Sequence, residues 1–504
     1  MSVSRFFILI KRMAQPHPFF LLLFVLFFIN RSAGADTYFV SSLNKGYSEI
    51  LKLRINSGRE IIRKSGIGDK ENAAKLLVEN YADFLSLCLQ QDPALYKKLI
   101  EAQENRLELL EDYPANSPWT GYAKAEIRGQ LATSKLLFGN RLAAAWDLRK
   151  AYLQYEANAK RYPDFIPNKK GLGVLQILIG SVPDNYKWFL DIIGMRGTVK
   201  TGMANLKAAS TRDNPFKEEA TLYHALVQLL LDEDDNQQAL NQVTRLSKGQ
   251  PDNLLFNFVS VLLYKKTKQA DAGIRFYQSR PTGGAYAVFP YMHHMAADLY
   301  LFKGDYVRSV KENRTFLEVN KGKHYLKAAN FKLYLAYWLS GHRPQAVWFY
   351  KQVPGVGTDV TEEDGYAAQF VSSNEKPNQH LMVARLRADG GYNKAALEVL
   401  DQMEISSVTP QAEKIEYLYR KARIYHGMEQ LKQAKQLYDS TVKAGENTTL
   451  YFAPNAALQL GYIYQQENDP ERARFYFNKA LAYKGTTYRN SIQAKAKLGL
   501  AALK

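Results

Sequence analysis

Between Pro454 and Tyr483 the apolar and small residues fall at the spacing of two antiparallel helices packed face to face. Leu460, Gly461 and Tyr464 share one face of a first helix. The tract Gln466 to Pro470 interrupts it, and Ala473, Phe477 and Ala480 mark a second helix at i, i+4, i+7. Small residues at Gly461 and Ala473 let the backbones approach, while Tyr464 and Phe477 fill the volume beside them. A hairpin of this size cannot bury its apolar face alone, so it constrains the chain to repeat it and stack the copies.

The order Leu-Gly-x-x-Tyr, then Ala, then Phe and Ala resembles the tetratricopeptide repeat family, with Ala457 where that family prefers Trp. Similar units recur upstream. Leu230, Ala239 and Val243 make a weak one, Tyr264, Gly273 and Tyr277 another, and Ala297, Tyr300, Gly304 and Ser309 a clearer one. Leu333, Tyr337, Gly341, Ala346 and Tyr350 follow, then Ala384, Gly391, Ala396 and Leu400, then Tyr425, Ala434 and Tyr438. The expected fold is an all-α, tetratricopeptide-like α-solenoid, a superhelix of antiparallel helical hairpins, with one apolar hairpin inserted near the middle. Equivalent tyrosines lie farther apart than the usual ~34 residues, so small insertions are expected. The largest is the polar stretch from Pro354 to Pro377, which reads as a disordered loop.

Four segments follow. Residues 1–35 read as a signal peptide, 36–118 as an N-terminal helical cap or divergent hairpins, 119–230 as a distinct helical region and 231–504 as tetratricopeptide-like repeats. Within the third, Gly171 to Ile179 and Trp188 to Gly194 are apolar nearly all round, which predicts a buried hairpin over residues 169–197. The succession of Leu148 to Tyr152, Gly171-Leu172-Gly173, Pro183, Phe189 to Gly194 and Gly202 to Leu206 resembles a tetratricopeptide family that includes the eukaryotic TTC39 proteins and yeast Iml2. The resemblance covers about Lys135 to Leu230. It implies a non-enzymatic helical protein linked to lipid handling and protein turnover, and it carries over no catalytic residue.

The leader combines Arg5, Lys11 and Arg12 with an apolar run from Phe19 to Ile29 and the small tract Ala33-Gly34-Ala35. That run is shorter than the ~20 residues a membrane span needs. The expectation is cleavage and export to the periplasm or cell envelope of a bacterium, with an uncleaved N-terminal anchor as the alternative. Removing the leader takes away Arg5, Lys11, Arg12 and Arg31 and lowers the net charge from +18 to +14. Such a basic exported protein suits acidic protein partners, acidic glycans or anionic membrane surfaces. Nucleic acid is not expected, because the basic residues are spread along the chain. The only cysteine, Cys88, falls in an apolar helical run and reads as a buried, inert thiol.

Motifs for chemistry are missing from the sequence. No two of the eight histidines have His-x-x-x-His spacing, and the adjacent His293 and His294 must point to different sides of a helix, so no metal site is expected. Asp232 to Asn236 starts like a calcium loop, but Gln237 replaces the required glycine and Val243 the required glutamate. Gly171-Leu172-Gly173 lacks the third glycine of a dinucleotide fingerprint, and no nucleophile elbow or P-loop occurs. Neither a catalytic residue nor a cofactor is expected.

Aromatic residues remain, with 33 tyrosines and 25 phenylalanines. Tyr286, Phe289 and Tyr291, and Tyr334 with Trp338, lie on first helices and form the expected binding surface of a concave groove. These features together describe a non-enzymatic scaffold or adaptor of the bacterial cell envelope that holds a protein or peptide partner. The alternative is a glycan- or lipid-binding module for envelope uptake or lipid handling, with an enclosed apolar cavity beside Leu172 to Ile193 as the mark of a lipid site.

Overall fold

A computed structural model describes residues 39–69, 72–182, 188, 190–231, 236–373, 377–406, 408–486 and 489–503. The expected signal peptide, the Pro183 break, Phe189 and the acids Asp232 to Asp235 lie outside them. Among the described residues the regular structure is helical. The first half runs α1 (Ser41–Leu51), α2 (Ile55–Lys64), α3 (Ala73–Gln90), α4 (Pro93–Glu111), α5 (Pro118–Leu137), α6 (Arg141–Arg161), α7 (Pro167–Gly180), α8 (Val199–Thr211), α9 (Lys217–Leu231) and α10 (Asn236–Gly249). The second half runs α11 (Leu254–Lys266), α12 (Ala270–Gln278), α13 (Pro290–Lys303), α14 (Tyr306–Val319), α15 (Leu326–Leu339), α16 (Arg343–Gln352), α17 (Glu362–Ser373), α18 (Gln379–Asp389), α19 (Asn393–Asp401), α20 (Gln411–Gly427), α21 (Leu431–Ala444), α22 (Phe452–Gln466), α23 (Pro470–Ala482) and α24 (Arg489–Ala502).

One backbone device builds the hairpins. In the turns after Lys135, Tyr264, Tyr300, Tyr337, Arg387, Tyr425 and Tyr464 the amide five residues on donates back to that residue's carbonyl, at 2.8–2.9 Å. The residue before each donor has positive φ: Gly139, Lys268, Gly304, Gly341, Gly391, Glu429 and Asn468. This is the Schellman closure, which satisfies an orphan carbonyl at the helix end and turns the chain into the antiparallel partner. Where the side chains pair, a ring twelve residues on stacks against the tyrosine: Tyr264 on Phe276, Tyr337 on Phe349 and Tyr464 on Tyr476, with centroids 5.3–5.6 Å apart. The hairpin α13–α14 then packs on α15–α16, and α20–α21 packs on α22–α23. The result is an all-α solenoid.

The array is interrupted once. Between Tyr337 and Arg387 50 residues intervene, against 36 to 39 between the other neighbouring acceptors from Tyr264 to Tyr464. The excess is α17, in the stretch from Pro354 to Pro377 that reads as a disordered loop from composition. The correction has a clear cause. Thr361 Oγ1 accepts from the Asp364 amide at 3.0 Å, acids fill the first turn, and Phe370 packs its ring 4.7 Å from that of Phe331 on α15. The Asp364 carboxylate also accepts from the amides of Tyr325 and Ala328 at 2.6 and 3.0 Å. It therefore caps α15 from a neighbouring helix, at a position where Tyr325 has φ +64° and offers no side-chain cap. After α17 the chain docks on earlier turns: α18 packs on α13, and the Ala270 amide donates to Gly390 O at 3.2 Å.

The N-terminal helices also fold onto the array. The Ala287 amide donates to Leu53 O at 2.8 Å, Lys52 pairs with Asp252 at 2.8 Å, and His324 Nε2 donates to Leu137 O at 3.1 Å. Helix α3 is buried along almost its whole length and carries Cys88, whose thiol pKa burial pushes up. One continuous apolar core runs from Phe39 to Tyr300, and smaller ones follow around Leu333 and Leu460.

Candidate functional site

Leu460, Ala473, Phe477 and Ala480 are buried, and a Cβ on Gly461 would come within 2.5 Å of the Phe477 ring. Leu333 and Ala346 are buried, Gly341 has φ +83°, and Tyr350 OH donates to Val371 O at 3.2 Å.

Of the five aromatics expected to form a binding surface, Phe289 and Tyr334 are buried and Tyr286, Tyr291 and Trp338 are half-buried. Tyr286 OH donates to Asp252 O at 2.8 Å and accepts from Arg54, whose guanidinium lies over the ring. Phe289 is buried against Phe258, and Tyr291 packs on His294 and Tyr325. Tyr334 stacks on Trp338 at 5.9 Å and is covered by Phe370 of α17. The groove at these positions is filled from within the chain: the α1–α2 turn covers Tyr286, and α17 covers Tyr334.

The apolar hairpin is half as expected. Helix α7 is buried and meets α8 so closely that a Cβ on Gly202 would stand 2.5 Å from Gly173 O. Contact at backbone distance leaves no room there for a ligand. The second arm is different: Leu190 is buried, but Trp188 is 45% exposed and Ile192 70%. Its outward stripe is apolar, so it is not a buried arm.

Two buried charge clusters have no counterpart in the sequence motifs. In the first, Lys170 Nζ donates to Glu126 Oε1 at 2.8 Å, Glu219 Oε1 at 2.7 Å and Tyr81 OH at 2.8 Å, with Lys170 and both glutamates fully buried. Tyr47 OH donates to Glu219 at 2.9 Å, and Tyr155 OH donates to Glu126. The Phe216 ring lies 4.9 Å from the ammonium. Burial first, and then Glu126, raise the Glu219 carboxyl to about 7 against the opposing pull of Lys170. The cluster ties α1, α3, α5, α6, α7 and α9 together.

In the second, His294, Asp298 and Glu363 bring ligand-type atoms within 4.8 Å of one another. Lys332 Nζ sits among them, 2.7 Å from His294 Nε2, 2.6 Å from Asp298 and 2.7 Å from Glu363. Its ammonium takes the place a metal would need, and Lys265 adds a second cation. Burial, then Lys332, lowers the His294 pKa; burial opposes ionisation of Glu363, but Lys265 and Lys332 hold its carboxyl well below the usual range. Both clusters carry residue types found in active sites. Here each ion faces counter-ions inside packed helices, an arrangement that locks helices together.

An accessible concentration of charge lies on the first helices of the last repeats. Arg420 of α20 lies close enough to Arg385 of α18 and to Arg423 of its own helix to repel both. Asp389 takes Arg423 at 3.5 Å, Glu416 takes Arg420 at 2.7 Å, and Tyr366, Tyr419 and Tyr451 supply rings or hydroxyls beside them. Arg420 and Tyr419 are buried, while Arg385, Arg423 and Glu416 are each half-buried, so the lattice meets solvent through those three residues. Lys266 of α11 also reaches solvent. Crowding by protein, chiefly, lowers its pKa, with Lys265 and, from α24, Lys495 adding like charge.

Stacked hairpins with recurrent tyrosine registers and an inner row of first helices define a tetratricopeptide-type helical solenoid. The tetratricopeptide repeat family matches in sequence at residues 415–442 and 454–487. No curated protein matches the chain in sequence, so the likeness to TTC39 and Iml2 gains no support there. Among solved structures, the human IFIT1 dimer with PPP-AAAA is similar at 12% identity and a TM-score of 0.40, covering 86% of this chain and 94% of that one. The TPR domain of P58(IPK) is similar at 14% identity and a TM-score of 0.21, covering 82% of this chain and 98% of that one.

Proposed function

We propose that this chain is an exported, non-enzymatic scaffold of a bacterial cell envelope that holds a protein or peptide partner on the inner face of its last repeats. The observation that carries the reading is the lattice of Arg385, Arg420 and Arg423 with Tyr366, Tyr419 and Tyr451, centred on successive first helices, in which Arg420 and Tyr419 are buried and the half-buried Arg385 and Arg423 reach solvent. Stacked first helices present a preformed groove. Guanidinium groups bind carboxylates by paired hydrogen bonds, and phenol rings bind the apolar parts of an extended segment. Asp389 and Glu416 alternate with the arginines, which favours an acidic protein segment with dispersed charge over the continuous charge of a nucleic acid. Export rests on the pattern of residues 1–35. A lipid enclosed beside α7 is disfavoured by the Gly173 and Gly202 contact.

The test is crosslinking capture of the exported protein from its own cells, with the unaltered chain and with Arg385→Ala/Arg423→Ala. The reading expects an envelope protein with an acidic segment, recovered at least about tenfold less with the double variant, since each lost charge-assisted pair contributes on the order of 1 kcal/mol. Equal recovery with the variant, nucleic acid as the captured species, or a chain that is never exported would refute it.

A further inference from the structure

Helix α17 lies across a row of first helices. Glu363 accepts from Lys332 of α15 at 2.7 Å, pairs with Lys265 of α11 at 3.4 Å and stands 2.9 Å from His294 Nε2 of α13, while Tyr366 OH accepts from Arg385 of α18. Each of these helices opens its hairpin, and such helices line the groove of a solenoid. Yet α17 is held there with little burial. Of its 12 residues, Asp364 and Ala367 are the buried ones, so its place depends on ion pairs, a cap and two aromatic rings more than on apolar area removed from water. A segment of this kind opens at a lower free energy than the packed hairpins beneath it.

The contacts of α17 read as those of a ligand helix. Glu363, Tyr366 and Phe370 fall at i, i+3, i+7 and share one face. The Phe331 ring of α15 meets two of them, Tyr366 at 5.7 Å and Phe370 at 4.7 Å between centroids, and Tyr334 lies 6.3 Å from Phe370. Lys332, the neighbour of Phe331, meets the third. Both Lys265 and Lys332 also pair with Asp298, so without Glu363 two ammonium groups share that carboxylate and the seat carries positive charge beside exposed rings. Such a surface draws an acid and an aromatic group together. We infer that the seat under α17 is a second partner site on the inner face, that it takes a helical protein segment carrying an acid with aromatic residues three and seven positions on, and that α17 is the built-in occupant this segment replaces. The exchange requires neither export nor the arginine lattice, so it stands or falls separately from the function proposed above.

The test measures the fluorescence anisotropy of a labelled peptide with the sequence of residues 359–373, added to the unaltered chain and to Tyr366→Ala/Phe370→Ala, which removes the rings of α17 and leaves the seat intact. Apparent affinity scales with the fraction of molecules whose seat is open, so the double variant should bind the peptide at least about tenfold more tightly. A peptide carrying Glu363→Gln/Phe370→Ala should bind that variant at least about tenfold more weakly, because both anchors are gone. Amide exchange in α15 should slow when the unaltered peptide is bound. Asp364→Ala, which frees α17 from its cap, supplies a second loosened chain for the same comparison should the double variant not fold. Equal affinity for the unaltered and loosened chains, no binding to a folded loosened chain, or equal binding of the two peptides would overturn the inference. None of these outcomes bears on crosslinking at the arginine lattice, which is read with the native partner.

Discussion

The Lys170 ammonium lies 2.7 Å from the Glu219 carboxylate and 2.8 Å from that of Glu126, with no solvent reaching any of the three. One cation between two acids is an arrangement whose members depend on one another. Lys170→Met should destabilise the fold by about 3–5 kcal/mol, because it strands buried carboxylates. Lys170→Met/Glu126→Gln/Glu219→Gln should recover most of that loss. Urea unfolding checks both, and a single variant within about 1 kcal/mol of the parent would show that water reaches the cluster.

The same cluster sets a pH dependence. The Glu219 carboxyl titrates at about 7 in the fold against 4.5 for the unperturbed group, so between those values the folded state binds more protons than the unfolded one. Its contribution is complete below pH 4.5 and is lost as pH rises through 7. The loss is on the order of 3 kcal/mol. The urea midpoint of the parent, relative to Glu219→Gln, should therefore fall between pH 5 and pH 8. Parallel profiles for the two proteins would contradict this.

Asp364 holds two amides of α15 and fixes the start of α17 through Thr361. Asp364→Ala should cost about 1–2 kcal/mol, as cap removal does. Amide exchange should quicken in residues 362–373 before it does in α22. Uniform quickening along the chain would mean that α17 is not a separate local unit.

Gly461→Ala pushes a Cβ to within 2.5 Å of the Phe477 ring, which is also wedged against Gly499. Overpacking of this kind should cost about 1–3 kcal/mol. Adding Phe477→Leu should give back part of it, and a double-mutant cycle on unfolding free energies measures the coupling. Strict additivity would place the two residues out of contact.

The hairpins are legible in the sequence because their signal is local. Leu460, Gly461, Tyr464, Ala473 and Phe477 stand within eighteen residues of one another, and the same register returns at Leu333 to Tyr350. What covers them is not local. Tyr286 is covered by Arg54, 232 residues away, and Lys170 meets acids 44 and 49 residues off, each a lone charge in its own helix. No pairwise spacing predicts such contacts. Helix α17 did leave a signal: Thr361-Glu362-Glu363-Asp364 is a capping pattern followed by Tyr366 and Phe370 at i, i+4, and its polar composition hides it. For the outer arm, composition misleads in the opposite direction. Trp188 and Ile192 are apolar and still face water.

The central claim is that the inner face of the last repeats holds a partner. A photo-crosslinking residue at position 416, beside Arg420 on that face, compared with one at position 348, where Trp348 is exposed on the second helix of an earlier hairpin, tests it most directly. The account predicts one discrete crosslinked envelope protein from position 416, lost with Arg385→Ala/Arg423→Ala, and none from position 348. Equal yields from both positions, or crosslinks only from position 348, would contradict it.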